Sequence, residues 1–350
     1  MADYEVSKLM WMAIVIALAA SIFVIAKPEI QTQAAGVFDK IGNVVGSIST
    51  DNAGDNSDTK PVLEGNYGEN GYFEMDKSGT ARVYALDTSK PIIVNARQSQ
   101  TYHNADMKTL TFESPVVASG NLGSFFSRAT SLTEIKGLDK WDTSAVTSMN
   151  NMFGDNSALT SLDLSSWNVS KVESFDTMFY RMKSLSSINL SGWNTSSAIS
   201  MRSMFDTATK LTTIKGLTNF NTSNVTSFDS MFRMTTSLTS IDVTGWDTSK
   251  VTDMSDMFVS TLSLNTLKGV DAFDTRELTN ANSMFSNTNL NSVDLSAWNT
   301  SKLTDVTNMF NNSPNLTSVG DLNKWDTSSL TSKDNVFTGS SVDDLPNWAQ

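Results

Sequence analysis

The 350-residue chain has no cysteine, a single histidine and a deficit of positive charge. Without cysteine there is no disulfide framework, no zinc finger and no thiol nucleophile. His103, in "TYHNAD", has no partner nucleophile near it in sequence, so histidine-based acid–base catalysis has no visible constellation. Lys and Arg number 25 against 37 Asp and Glu, a formal charge of -12, which disfavours nucleic acid and anionic lipid as partners. No long acidic run accompanies that excess. No Ser-His-Asp set, metal cluster or phosphate loop is present, and the reading is a non-enzymatic protein with no cofactor.

What the chain has in abundance is repetition. The stretch "WDTSAVTSMNNMF" (141–153) returns as "WNVSKVESFDTMF" from Trp167, "WNTSSAISMRSMF" from Trp193, "FNTSNVTSFDSMF" from Phe220 and "WDTSKVTDMSDMF" from Trp246. Further copies start at Phe273, Trp298 and Trp325. The closing phenylalanines, Phe153, Phe179, Phe205, Phe232, Phe258, Phe285, Phe310 and Phe337, are 25 to 27 residues apart, the mark of a solenoid. A site is not needed eight times; a core is. Trp141, Met149 and Phe153 therefore read as core, and Asp142 to Ser144 as a turn that folds its side chains back onto backbone N–H groups.

Between copies lies a second constant word, as in "ALTSLDLSSWN" from Ala158 and "SLTSIDVTGWD" from Ser237. Leu159, Leu162 and Leu164 follow an L-x-x-L-x-L skeleton, and their alternation with Ser161 and Asp163 is that of a half-buried strand. Val146, Met149 and Phe153 recur at i, i+3, i+7, which predicts about two turns of helix. The expected fold is α/β: a leucine-rich-repeat-like solenoid of about eight strand-turn-helix repeats of 25–27 residues. Copies containing "IKGLTNF", "LKGVDAF" and "VGDLNKW" add a residue and a glycine after the strand, where a bulge or a wider loop is expected to absorb it and break the uniformity of one edge. By this logic binding belongs at exposed strand positions, two polar columns formed by Ser161, Asp163, Ser187, Asn189, Ser240, Asp242, Ser292 and Asp294.

Upstream, the chain divides into residues 1–27, 28–61, 62–123 and 124–350. Leu9 to Ala26 is an apolar run about 27 Å long as a helix, which predicts a single transmembrane anchor with the repeats extracellular. Leu9, Trp11, Ile14, Ala17, Leu18 and Phe23 would lie in the membrane. In the alternative, a pilin-like filament subunit with possible homo-oligomerisation, they would lie in a fibre core; Glu5 and Pro28 loosely resemble a type IV pilin polymerisation helix. Residues 34–48 form an amphipathic stripe and 49–61 a polar linker. Short β-type runs in 62–123 predict a β-rich cap over the first repeat.

The repeats resemble those of the BspA-like leucine-rich-repeat surface proteins, in the branch that runs "SLTSLDLSxWNTSxVTDMSxMF". "SLTSIDVTGWDTSKVTDMSDMF", Ser237 to Phe258, matches nearly throughout, and the resemblance extends over about Lys108 to Thr338. It implies a bacterial cell-surface solenoid for adhesion or protein contact, with a protein or glycan ligand. The terminal "DDLPNWAQ" lacks the sorting motif of wall-anchored members, so any attachment is expected to rest on the N-terminal helix. After "MF" the family's usual tyrosine or cysteine is mostly absent; Gly154, Tyr180, Asp206 and Arg233 occupy that place.

Overall fold

A solenoid follows from the repeated words, but no helix. The computed structural model describes residues 61–95 and 106–350, all within one compact unit. Among them the only helical pieces are three-residue 3-10 turns such as Leu138–Lys140. The expected strand-turn-helix repeat is thus corrected to a β-solenoid whose coils close through tight turns.

The return segment shows why. In the coil ending at Phe153, Met152 N–H bonds back to Met149 O, Gly154 to Asn151 O and Asn156 to Phe153 O, a string of overlapping β-turns. The intervening amides leave the coil: Met149 donates to Ser174 O, Asn151 to Asp176 O, Phe153 to Met178 O and Asp155 to Tyr180 O, at 2.8–3.0 Å. Asn151 and Asp155 take φ of 53° and 62°. A left-handed residue every fourth position breaks an α-helix, yet it returns side chains to the core at nearly the helical period. The same positions recur as Thr177 and Arg181, Ser203 and Thr207, Ser230 and Met234, Asp256 and Ser260, all with positive φ. Asn and Asp populate that conformation more readily than other non-glycine residues; β-branched Thr177 and Thr207 are strained in it.

The coils share a continuous core. Phe126, Phe153 and their successors to Phe337 stack with centroids 5.2–5.8 Å apart. Because coils advance by about 4.8 Å, the rings are offset rather than eclipsed. A second column holds the aromatic corners, as in Trp193–Phe220–Trp246 and Trp298–Trp325–Trp348. Each tryptophan from Trp167 onward also donates Nε1–H to a carbonyl one coil back, for example Trp193 to Leu164 O and Trp246 to Leu217 O. Trp141 meets Phe112 there instead, ring edge to face at 5.0 Å, and its buried Nε1 has no acceptor among the described residues.

The other walls are strands. β1 (Leu63–Tyr67), β2 (Gly71–Met75) and β3 (Thr80–Ala85) form an antiparallel meander. From β3 the sheet turns parallel through β5 (Thr109–Phe112) to β7 (Glu134–Lys136). β4 (Ile92–Asn95), β6 (Val116–Asn121) and β8 (Trp141–Ser148) make a second parallel ladder. It continues as single bridges from Ser148↔Ser174 to Asp305↔Ser332.

The N-terminal expectations fall elsewhere. Residues 1–60 and His103 lie outside the described residues, and with them Leu9, Trp11, Ile14, Ala17, Leu18 and Phe23. Among the described residues no helix is long and apolar enough to cross a membrane, so the single-pass anchor and the membrane localisation built on it are withdrawn.

Candidate interaction surface

The short-strand wall carries the residues singled out above. β9 (Ser161–Asp163), β10 (Ser187–Asn189) and β11 (Thr213–Lys215) form one parallel ladder, and β12 (Ser240–Asp242) and β13 (Thr266–Lys268) another. Ser161 thus lies beside Ser187, and Asp163 beside Asn189. Ser240 and Asp242 begin a separate ladder with Thr266 and Lys268. Ser292 bridges to Ser318 in a third block, with Asp294 two residues on. The eight residues share one wall, in three groups rather than two unbroken columns.

Half of them serve a turn. Asp163 Oδ1 accepts from Ser165 N–H and Oγ–H, Asn189 Oδ1 from Ser191, Asp242 Oδ1 from Thr244 N–H and Asp294 Oδ1 from Ser296 N–H. The hydroxyl partners Ser165, Thr244 and Ser296 hold the three carboxyls below the usual carboxylate range. The serines Ser161, Ser187, Ser240 and Ser292 remain outward with no such duty. Sequence reasoning passed over Thr213, Lys215, Thr266 and Lys268, which extend the same columns. Aligning the glycine-bearing copies at their strands would have found them.

The breaks between ladders follow the inserted glycines. Gly137, Gly216 and Gly269 have φ of 79°, 90° and 92°, and each lies on the backbone of the coil before it: a Cβ on Gly216 would meet Ser191 Cα at 2.6 Å. The strand before each glycine, β7, β11 or β13, pairs backward but not forward. Within a ladder Ser186 N–H donates to Thr160 O and Thr212 N–H to Ser186 O; across the breaks no such bond joins Thr160 to Thr133, Thr239 to Thr212 or Asn291 to Asn265. The wall opens there. A cleft of about 560 Å³ lies between β7 and β9, lined by Thr133, Ile135, Leu138, Ser161, Leu162 and Asp163. A second, of about 280 Å³, lies between β11 and β12, with Thr212, Ile214, Leu217, Ser240, Ile241 and Asp242 in the same roles.

The turn wall carries a charge ladder that the repeat analysis did not predict. Asp176 Oδ1 accepts from Arg202 N–H, and Arg202 Nη2 donates to Asp229 Oδ2 at 3.1 Å. Beside it Arg233 Nη1 stands 3.4 Å from Asp206. Burial pushes the Asp206 and Asp256 carboxyls up against the pull of Arg233. The only signal in the sequence was the departure from the repeat after "MF", at Asp206 and Arg233.

These features define a repeat protein, a β-solenoid with one smooth and one interrupted wall. The chain belongs to the family described as "Mycoplasma protein of unknown function, DUF285", which matches residues 116–214, 186–287 and 226–348. No curated protein matches it. Among solved structures, a leucine-rich repeat protein from Bacteroides ovatus aligns at 14% identity over 77% of this chain and 79% of its own, with a TM-score of 0.35. One from Eubacterium ventriosum aligns at 12% over 82% and 97%, TM-score 0.28. The Toll–Spatzle complex of Drosophila aligns at 12% over 75% and 50%, TM-score 0.27. Likeness at that level carries no argument about function.

Proposed function

We propose that this protein is a non-enzymatic contact module that binds a partner protein along its short-strand wall. The observation that carries the reading is where variation falls. The constant words are spent on core, aromatic corners and turns, whereas one outward strand column changes charge from coil to coil, Asp163, Asn189, Lys215, Asp242 and Lys268, beside a column of small hydroxyl residues, Ser161, Ser187, Thr213 and Ser240, that serve no turn. Stacked repeats present such positions as one extended surface, the usual use of a solenoid. The resemblance to BspA-like repeats supports the same reading and extends it to adhesion. The wall alternates Asp163, Asn189, Lys215, Asp242, Lys268 and Asp294, so a partner with interspersed charges of both signs fits it better than a polyanion.

The test is affinity capture with the full-length chain immobilised, against a triple variant Ser187→Arg, Ser292→Arg and Ser318→Arg that recharges the wall without touching the core. One or more proteins retained by the wild type and lost from the variant are expected. Retention of nothing above bare matrix, or equal retention by both, sinks the reading.

A further inference from the structure

From the two clefts we infer that the partner docks by an extended peptide segment laid into the broken ladder, a deepening that rests on the contact-module reading. A parallel ladder satisfies its main chain coil by coil, and an interruption leaves donors and acceptors facing a gap. Thr160 N–H and Thr133 C=O face the first gap, and Thr239 N–H and Thr212 C=O the second, with no backbone partner across either break. Both kinds of group are unspent in one place, which is the complement of a peptide group that brings one donor and one acceptor. An anion would use only the donors and a cation only the acceptors.

The lining agrees with that occupant. Aliphatic residues form part of each lining, Ile135, Leu138 and Leu162 in the first cleft and Ile214, Leu217 and Ile241 in the second. Ile135 and Ile214 are half-exposed, whereas Leu162, Ile188 and Ile241 on the neighbouring strands are buried. An apolar side chain of the guest would cover them. The first cleft, at about 560 Å³, falls within the range of formed ligand sites. Its rim carries Glu134, Asp139 and Asp163. Lys136 answers Glu134 at 3.2 Å, leaving a net acidic edge that favours Lys or Arg next to the guest's apolar residue. Strand addition of this kind draws affinity from the main chain and selectivity from alternate side chains. The chain's own β10 already pairs with the far edge of β9, so its sequence shows what this backbone accepts.

The probe is a labelled peptide copying residues 184–191, SLSSINLS, titrated into the full-length protein by fluorescence anisotropy. Saturable binding with a midpoint below ~1 mM is expected, together with slowed hydrogen exchange at Thr160 and Thr239. Ser161→Trp combined with Ser240→Trp, two outward positions at the cleft mouths, is expected to weaken binding at least tenfold. Thr226→Trp, outward on another wall, leaves it unchanged. No saturation, or equal binding by the double variant, overturns the docking mode. If the double variant still retains the captured partner while losing the peptide, the cleft proposal falls and the contact-module reading stands. If neither peptide nor partner is retained by the wild type, both fall.

Discussion

The short-strand wall and the turn wall are built by the same coils, yet one is interrupted after Gly137, Gly216 and Gly269 and the other runs through those coils without a break. Rows of bonds such as Phe153 N–H to Met178 O, Phe179 to Met204 O and Phe205 to Met231 O run on through the coils that carry insertions. Bonds between short strands stop at Gly137, Gly216 and Gly269. Register is therefore held by the turn wall and its phenylalanine stack, which frees the other wall to vary. A surface that diversifies without unfolding is what a binding repeat requires.

The largest test of that division is Phe232→Ala against Ile214→Ala. Phe232 is fully buried between Phe205 and Phe258, and its loss is expected to cost about 3–5 kcal/mol. Ile214, half-exposed at a cleft, is expected to cost less than about 2 kcal/mol on truncation. Urea denaturation followed by circular dichroism measures both, and equal losses would deny the turn wall its leading role.

Next come the buried threonines at the aromatic corners. Thr195, Thr222 and Thr248 each donate Oγ1–H to a carbonyl of the following coil, Asn221, Asp247 and Asp274 O. Thr248→Val leaves one buried acceptor short and is expected to cost about 1–2 kcal/mol. Val169 occupies the same position with no hydroxyl, so Val169→Thr is expected to gain up to about 1 kcal/mol, read as a higher denaturation midpoint. Thr177, at φ 56°, is expected to gain about 1 kcal/mol on replacement by Gly or Asn, which tolerate that conformation. A loss there would show that its hydroxyl bond to Asp176 O outweighs the backbone strain.

The smallest effect is in pH, where the walls oppose each other. Asp163, Asp242, Asp247 and Asp294, held down by hydroxyl and amide donors, contribute stability that is present above the unfolded carboxylate pKa near 3.9 and is lost as pH falls through their lower folded values. Asp87, at about 2, behaves likewise. Asp206 and Asp256, raised by burial, contribute stability that is fully present below the unfolded pKa and is lost as pH rises through their folded values. Acid is thus expected to destabilise the protein between about pH 4 and 2, and more steeply in Asp206→Asn/Asp256→Asn. Urea midpoints at pH 5 and 3 decide it; an unchanged slope would assign those two carboxyls no part.

Much of this was legible from residues alone. The period, the stacked aromatics, the Asp or Asn turn after each aromatic corner and an interruption at the extra glycines of "IKGLTNF" and "LKGVDAF" were all readable from the repeated words. Asp142 and Asn168 show it, each accepting from a serine N–H two residues on. The turn wall was not legible. Val146, Met149 and Phe153 return to the core at the same period in a helix and in a string of four-residue turns, and what separates the two is where alternate N–H groups go. That destination lies 25 residues away, in Ser174, Asp176 and Met178, and no local pattern contains it. The clefts were hidden for the same reason, since a missing bond between Thr160 and Thr133 is a property of two coils together.

The one-way hydrogen bonding of the turn wall has an electrostatic consequence. In every coil from 122–128 onward the alternate amides point forward along the solenoid and the carbonyls they meet point back. The peptide dipoles in those rows are collinear and head to tail, as in an α-helix, but in parallel files. Each file runs through its coils to the last one, where the N–H groups of Lys333, Asn335, Phe337 and Gly339 have no backbone acceptor among the described residues. The turn wall is therefore an electrically polar element, positive toward residue 339 and negative toward residue 122, within a chain whose net charge is -12.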